Sequence, residues 1–351
     1  MSVNDFVLAP RQSHIIAPHP TYRRRAVFLN HGDYEQNRLI SRVLTLYYIE
    51  GQNQSDIAKA LGLSTAKVNR LLKQAREQGL VEITIRTPFQ HLFEQEQQLQ
   101  ETYNLPEAVI IPQLADEPDA VLQTVGRAAA DYLLQHLRDG DTICISGGKT
   151  MNAIVQSIEP RRKYNVRVVP ATGARQGRHY TDVNYLAAQL AERLGGEAYQ
   201  IHAPVFVDKA EDRDLLLGMR QISEILDLAR NAQIALIGIG SVIPGASSYF
   251  DLMTSMAMSE ADWNQMIEAE DACGEIFAYL YNRQGQLCMP DFNRRVVGLA
   301  LDDLKNIPLV IGVAATPEKV LPIHGALQGE HLKILITDES TASGVLELAG
   351  A

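Results

Sequence analysis

A run of small and basic residues, Ser146-Gly147-Gly148-Lys149-Thr150, follows an apolar segment and precedes a stretch with helical periodicity. Glycines let backbone N–H groups approach an anion closely, and the N-terminus of a helix favours negative charge. The run is not a nucleotide-binding P-loop, because the position five residues before Gly148 holds Ile143 instead of glycine. The pattern therefore predicts an anion site made of Gly147, Gly148, Lys149 and Thr150. The alternative is a tight strand-to-helix turn with no ligand.

A second group of residues suited to chemistry lies between residues 54 and 73 and combines basic and amide side chains. A helical wheel that turns Val68, Leu71, Leu72 and Ala75 inward places Ala66, Arg70 and Lys73 outward. Arginine can bond bidentately to guanine and asparagine to adenine, and a helix N-terminus suits a phosphate. We therefore expect the following residues to contact double-stranded DNA: Gln54, Ser64, Thr65, Ala66, Lys67, Asn69, Arg70 and Lys73. The alternative is an ordinary surface helix with solvated charges.

The elements around these residues form the pattern of a winged helix-turn-helix. From Asn37, apolar residues recur at helical spacing up to Gly51, and Asn53 is placed to cap a second, short helix. Gly62 supplies a turn and Ser64 caps the recognition helix. Residues 81–86 alternate apolar and polar side chains like an exposed strand, the wing. Arg76 and Arg86 would then position the protein on phosphates.

Beyond residue 106, short apolar runs alternate with helical segments, which predicts a mostly parallel sheet with helices on both faces. Six runs are predicted as strands: Ala108–Pro112, Thr142–Ser146, Val166–Ala171, Ile234–Gly240, Leu309–Ala314 and Lys333–Asp338. Four stretches are predicted as helices: 121–138, 182–194, 212–230 and 317–328. Ligands of such sheets bind at the carboxyl ends of the strands.

The distribution of charge is consistent with a DNA-binding N-terminal part and a separate ligand-binding C-terminal part. The 351-residue chain has a net charge of -10, but residues 1–87 hold 12 Lys and Arg against 7 Asp and Glu, and the remainder holds 20 against 35. We therefore expect only the basic head to meet DNA. Three widely spaced cysteines support neither a disulfide framework nor a metal site. No apolar run is long enough to span a membrane, and we expect a cytoplasmic protein without a cofactor.

Several motifs together resemble the SorC family of sugar-responsive bacterial regulators. They begin with Gln54-Ser55-Asp56-Ile57-Ala58-Lys59-Ala60-Leu61-Gly62-Leu63-Ser64 and continue with Ser146-Gly147-Gly148-Lys149-Thr150-Met151, Gly173-Ala174-Arg175, Ile237-Gly238-Ile239-Gly240 and Leu335-Ile336-Thr337-Asp338-Glu339. The resemblance covers nearly the whole chain from about residue 37. It implies a Rossmann-like C-terminal domain related to sugar-phosphate isomerases, a phosphorylated sugar or polyol as effector, and self-association as a dimer or tetramer. It further implies that the effector weakens operator binding.

The resemblance also implies site residues. Arg175 matches an arginine that contacts phosphate in some members, and Lys319 matches a lysine at the ligand. Gly274-Glu275-Ile276 matches a Gly-Asp-Ile pattern whose carboxylate bonds effector hydroxyls. Here the acid is longer by one methylene, so a smaller or differently oriented polyol is expected. Residues 241–258 are expected to form a pocket wall.

The predicted organisation is a flexible extension at 1–36, a winged helix-turn-helix at 37–88, a linker helix at 89–105 and an effector-binding and oligomerisation domain at 106–351. The predicted function is that of a DNA-binding repressor of a carbohydrate-related operon. Two alternatives stay open. One is a phosphosugar isomerase or deaminase with an appended DNA-binding head, although no second acid–base partner for Glu275 is evident. The other is a regulator without an effector.

Overall fold

The computed structural model describes residues 31–81, 88–114, 116–175, 179–243 and 259–350. The chain divides into two compact units, Met1–Ile85 and Arg86–Ala351, and each is described by itself. The predicted wing lies outside the described residues except for Val81, as does the predicted pocket wall beyond Ile243. The same holds for most of the N-terminal extension.

The first unit is built from α1 (His31–Leu44), which continues into one π-helical turn (Thr45–Ile49), α2 (Gln54–Leu61) and α3 (Thr65–Glu77). The helix α1 begins before the predicted start at Asn37. The core of this unit consists of one apolar stripe from each helix. The stripes comprise Ile40, Val43, Ile57, Ala58, Val68, Leu71, Leu72 and Ala75. The stripes recur at three- and four-residue spacing, so each helix buries a single face.

The second unit contains a helix-rich α/β fold. The bounds of its helices are α4 Gln90–Tyr103, α5 Pro118–His136, α6 Lys149–Ser157, α7 Val183–Leu194, α8 Ala210–Leu217, α9 Arg220–Arg230, α10 Glu260–Ala269, α11 Pro290–Asn293, α12 Val320–Gln328 and α13 Glu339–Gly350. Short 3-10 turns are present at His179–Thr181, Leu301–Asn306 and Pro317–Lys319. The predicted helix 212–230 is therefore two helices, broken at Gly218 and Met219.

The main sheet is parallel, and seven of its strands lie in the described residues. They are β1 Glu107–Ile111, β2 Thr142–Ile145, β3 Arg167–Pro170, β4 Glu197–Ala198, β5 Ile234–Gly238, β9 Leu309–Val313 and β10 Ile334–Asp338. Their order across the sheet is β1-β10-β9-β5-β2-β3-β4. The chain moves outward from β2 to β4, returns to β5 on the other side of β2, and then moves outward the opposite way. The point where the direction reverses, between β2 and β5, is where sheets of this kind form a ligand crevice.

Both faces of the main sheet are covered, which explains why its strands are continuous apolar runs. Neighbouring residues of β2 illustrate the alternation, because Cys144 belongs to one apolar cluster and Ile143 and Ile145 to the other. The cluster around Cys144 includes residues of α4, α9, α12 and α13, whereas the other includes residues of α5, α6 and α7.

A small antiparallel sheet, which the sequence pattern did not predict, stands beside the main one. It consists of β6 (Gly240–Ser241), β7 (Ala272–Ile276) and β8 (Tyr279–Asn282). The turn of the β7–β8 hairpin is formed by Phe277 and Ala278, which have φ angles of 56° and 67°. Two consecutive positive φ angles are typical of the tight hairpin turns that match strand twist.

The helix α4 belongs to the second unit, although the sequence pattern predicted a separate linker helix there. Its buried residues Leu92, Leu99 and Tyr103 join the core of the main sheet. Glu96, which interrupts the apolar stripe, accepts a hydrogen bond of 2.8 Å from the backbone N–H of Ile110 in the edge strand β1. The carboxylate thus satisfies a donor that an edge strand would otherwise expose.

Candidate functional site

The helix-turn-helix of the first unit is fixed by local capping. The side chain of Asn53 accepts hydrogen bonds of 3.0 Å from the amides of Ser55 and Asp56 at the start of α2. Gly62 ends α2 in the left-handed region at φ 64°, where glycine carries no steric penalty. The hydroxyl of Ser64 then accepts from the amide of Lys67 at 3.2 Å and starts α3. These caps set the angle at which α3 leaves the turn.

The exposed face of α3 carries the residues expected to contact DNA. Seven of the eight are exposed, namely Ser64, Thr65, Ala66, Lys67, Asn69, Arg70 and Lys73, and Gln54 at the start of α2 is partly buried. The opposite face holds Val68, Leu71, Leu72 and Ala75 in the core. A helix that is buried on one side and basic on the other has the form needed to enter a major groove. Arg86, in the predicted wing, lies outside the described residues.

In the second unit, Ser146 is joined to the neighbouring strand β5 by two hydrogen bonds, one of which runs from its backbone N–H to the carbonyl of Leu236 at 3.1 Å. The hydroxyl of Ser146, directly after β2, accepts from the backbone N–H of Gly238 at the end of β5, at 3.0 Å. Ser146 is buried. The two bonds therefore fix the loop after β2 to the neighbouring strand, and the sequence analysis did not identify this role for Ser146.

The loop then needs both of its glycines. A Cβ at Gly147 would lie 2.8 Å from the carbonyl oxygen of Thr181, and Gly148 has a φ angle of 116°. The N–H of Gly148 donates to that same carbonyl at 3.0 Å. The amides that face away from the helix at the start of α6 are consequently those of Lys149, Thr150 and Met151, which have no intrahelical partner. Unpaired amides at a helix N-terminus are suited to an anion.

Five charged groups at this edge of the sheet shift the pKa of Glu275 or of Lys319. Burial raises the pKa of Glu275, and the Ala278 amide and the positive charges of Lys319 and Arg175 oppose that shift. Burial lowers the pKa of Lys319; Glu275 and Glu318 oppose this shift, whereas Lys149 adds to it. Lys319 thus interacts with the carboxylate on one side and with the loop lysine on the other.

Parallel strands explain why these residues meet. Lys149 follows β2, Arg175 follows β3 and Lys319 follows β9, so all three stand at the carboxyl edge of the sheet. Glu275 reaches this edge from the small sheet, where it pairs with Gly240. The backbone N–H of Arg175 donates to Asp182 at 3.3 Å, and Asp182 also caps α7. The structure thus places Lys149, Arg175, Glu275 and Lys319 at one edge of the sheet; that they form an effector site stays a prediction.

Gly274 lies apart from this group. A Cβ there would be 2.5 Å from the hydroxyl oxygen of Tyr281, which donates to the carbonyl of Pro322 at 2.9 Å. Its neighbour Glu275 alternates to the other side of β7. The need for glycine at 274 is therefore explained by packing against the tyrosine.

Two further residues that sequence reasoning missed hold Lys319. Thr316, in the loop after β9, has φ 86° and ψ 152°, a conformation that costs a β-branched residue on the order of 1–3 kcal/mol. It is held by the buried carboxylate of Asp338, which accepts from the Thr316 amide at 2.9 Å. The Thr316 carbonyl then accepts from the amide of Lys319 at 2.9 Å. An aspartate ending an apolar strand was the available signal.

Comparison with known proteins agrees with both units. Residues 87–347 match a family described as "Putative sugar-binding domain", and residues 41–78 match region 4 of sigma-70 factors. The chain is 30% identical over 319 residues to the deoxyribonucleoside regulator of Bacillus subtilis (strain 168), covering 90% of this chain and 99% of that protein. It is 29% identical over 317 residues to the transcriptional regulator LsrR of Enterobacter sp. (strain 638), with coverages of 90% and 94%.

Among solved structures, the full-length sorbitol operon regulator SorC from Klebsiella pneumoniae is similar with a TM-score of 0.67 and 28% identity. The match covers 88% of this chain and 98% of that one. These relatives are transcriptional regulators, which favours the regulator over the enzyme alternative. No helix in the described parts of the chain is long and apolar enough to cross a membrane. The family match over most of the chain and the relatives along its length lead to one conclusion: the chain belongs to the SorC family of sugar-binding transcriptional regulators.

Proposed function

We propose that this regulator is a repressor of a carbohydrate-related operon and that a phosphorylated sugar or polyol, bound at the carboxyl edge of the main sheet, releases it from its operator. The observation that carries the proposal is the start of α6 at the crevice between β2 and β5. There the charges of Lys319 and Arg175 act on one half-buried carboxylate, Glu275, and the charge of Lys149 acts on Lys319.

The phosphate is assigned to the α6 end of the site. The first-turn amides point at it, and Lys149 supplies a charge. Lys149 and Lys319 repel each other, since Lys149 lowers the pKa of Lys319. A phosphate dianion bound near both lysines would offset this repulsion, so the charge arrangement favours an anion.

The hydroxyl-bearing part of the effector is assigned to Glu275. A half-buried carboxylate can accept hydrogen bonds from sugar hydroxyls, and such bonds to a charged acceptor are stronger than neutral ones. The charges of both Lys149 and Glu275 act on Lys319, so we assign Lys319 to both ends of the effector. The charge of Arg175 also acts on Glu275.

DNA recognition is assigned to the exposed face of α3. Arg70 and Asn69 are the expected base readers, whereas Lys67, Lys73 and the N-terminus of α3 are expected to meet phosphates. Regulators of this type read two half-sites as a dimer or larger assembly, and we include self-association in the proposal. The effector weakens operator binding if it binds the DNA-released arrangement more tightly than the DNA-bound one.

The test begins with thermal unfolding of the purified protein against inorganic phosphate and a panel of C3–C6 sugars and polyols, each with and without a phosphate group. The proposal expects one phosphorylated compound to stabilise the protein by about 2.7 kcal/mol at 100 times its dissociation constant. Lys149→Ala should reduce this stabilisation. Lys305→Ala, which removes a surface ion pair with Asp302, is the matched control and should leave it unchanged.

The same compound is then added to the protein bound to a DNA fragment obtained by selection from a random pool. Loss of fluorescence anisotropy supports the repressor assignment. Stabilisation only by unphosphorylated polyols would contradict the phosphate assignment, and an effector with equal affinity for free and DNA-bound protein would contradict the mechanism.

A further inference from the structure

Gly240 lies directly against the side chain of Glu275. The two residues are partners in the antiparallel pairing of β6 with β7. A Cβ at position 240 would stand 2.0 Å from Oε1, 2.5 Å from Cδ and 2.6 Å from Cγ of Glu275. All three distances are shorter than a carbon side chain can tolerate, so the carboxyl group fills the space that any other residue at 240 would occupy.

The backbone gives no separate reason for glycine at this position. The φ angle of Gly240 lies outside the left-handed region that other residues avoid. The nearest obstacles to a Cβ are the outer atoms of one flexible side chain. Alanine at 240 is therefore compatible with the fold, and its methyl group acts on Glu275.

The other carboxylate oxygen of Glu275 makes the hydrogen bond that fixes the side chain in this position. Oε2 accepts a 2.9 Å hydrogen bond from the amide of Ala278 in the hairpin turn. The turn brings that amide back towards β7 because Phe277 and Ala278 both have positive φ angles. With Oε2 bound to the turn and Oε1 lying over Gly240, the carboxylate has one orientation between the hairpin and the glycine.

We propose that Gly240 is a positioning residue of the effector site: by leaving space, it keeps the carboxylate of Glu275 on the Ala278 amide, where one oxygen can accept an effector hydroxyl. The inference rests on the proposed function, since it assigns Glu275 to the hydroxyl-bearing part of the effector. It adds that position 240 decides how strongly a polyol chain is preferred to bare phosphate.

Gly240→Ala should move the carboxylate off the turn without disturbing the phosphate end at Lys149. We expect the affinity for inorganic phosphate to stay within about twofold. The affinity for the preferred sugar or polyol phosphate should fall roughly tenfold or more, because hydrogen bonds to a charged acceptor are lost. Gly218→Ala is the matched control, since its added methyl meets only atoms of α8 at 3.4 Å and 3.5 Å, and it should change neither affinity.

The decisive measurement is a double-mutant cycle with Glu275→Ala, followed by calorimetric titration with inorganic phosphate and with the preferred compound. If Gly240 acts only through Glu275, Gly240→Ala has no further effect once the carboxylate is gone. A second tenfold loss in the Glu275→Ala background would overturn the inference, because it would show a general steric effect.

A crystal structure of Gly240→Ala decides the positioning step without any ligand. The inference expects Oε2 of Glu275 to have left the Ala278 amide, and a carboxylate still at 2.9 Å would refute it. If the wild-type protein binds neither inorganic phosphate nor any phosphorylated compound, the proposed function fails instead. In that case the displaced carboxylate would still show that Gly240 positions Glu275.

Discussion

Replacing Asp338 with asparagine would disturb a carboxylate that four donors share at the end of β10. Oδ1 accepts from the hydroxyl of Ser340 at 2.7 Å and from the amide of Thr341 at 3.1 Å. Oδ2 accepts from the amide of Thr316 at 2.9 Å and from the hydroxyl of Thr341 at 2.5 Å. The carboxylate is 2% exposed, so water cannot replace these bonds.

The cost follows from this arrangement. Whichever way the asparagine amide is oriented, its NH2 group faces one backbone N–H, either that of Thr341 or that of Thr316. Hydroxyl groups can rotate and become acceptors, but a backbone N–H cannot. A buried donor without an acceptor costs about 1–3 kcal/mol, and the bonds that remain lose their ionic partner. We therefore expect Asp338→Asn to lower the free energy of unfolding by about 2–4 kcal/mol.

Urea denaturation at a fixed protein concentration measures this loss. Asp302→Asn, which alters an exposed ion pair with Lys305, is the control and should cost less than about 0.5 kcal/mol. Hydrogen bonds from Ser340, Thr341 and Thr316 hold the pKa of Asp338 below its ordinary value, against the opposing effect of burial. Its contribution is therefore present above the ordinary aspartate pKa and is lost as pH falls through the folded value. An Asp338→Asn protein as stable as wild type at pH 7, or a difference that widens in acid, would refute this account.

Three other substitutions test separate parts of the structure. Glu96→Gln keeps an acceptor for the edge-strand amide but removes a carboxyl group whose pKa is raised by burial. Because a group with a raised folded pKa becomes less stabilising as pH rises, the stability of the variant relative to wild type should increase as pH rises above the ordinary glutamate pKa, measured by urea denaturation. Ser64→Ala removes the cap of α3 and should cost about 1 kcal/mol, measurable as faster amide hydrogen exchange in that helix. Arg70→Ala should weaken binding to selected DNA by about 1–3 kcal/mol and reduce discrimination against random DNA in competition assays, whereas Lys73→Ala should weaken both equally.

The helix-turn-helix could be predicted because its signals are local. Asn53, Gly62 and Ser64 each act within three or four residues of chain, so their types and spacing indicate the helix ends directly. The start of α1 was not predicted, since His31–Gln36 lacks apolar residues at helical spacing. A helical segment without apolar periodicity cannot be recognised from the sequence pattern and is identified only in the folded structure.

The strands of the main sheet could be predicted for a different reason. Strands covered on both faces must be continuously apolar, and each of the six predicted runs overlaps a strand of the sheet. Their order across the sheet could not be predicted, because each run is equally apolar and its sequence does not indicate which strand it pairs with. The crevice between β2 and β5 follows from that order. The hydrogen bond from Gly238 to Ser146 is therefore a finding of the structure alone.

The hairpin that carries Glu275 shows why part of the site stays hidden in the sequence. Phe277 and Ala278 adopt positive φ angles with neither glycine nor asparagine present, so the usual signal of a tight turn is missing. Instead, the turn is stabilised by the carboxylate of Glu275, which accepts a hydrogen bond from the Ala278 amide. The side chain of Glu275 folds back onto the turn, so that its carboxylate lies at the Ala278 amide. The turn and the candidate effector contact thus depend on the same side chain, and the space for it comes from Gly240, more than 30 residues away in the chain. Only the folded chain brings the three residues together, since no periodic pattern links a glycine in one strand with a carboxylate and a turn in another.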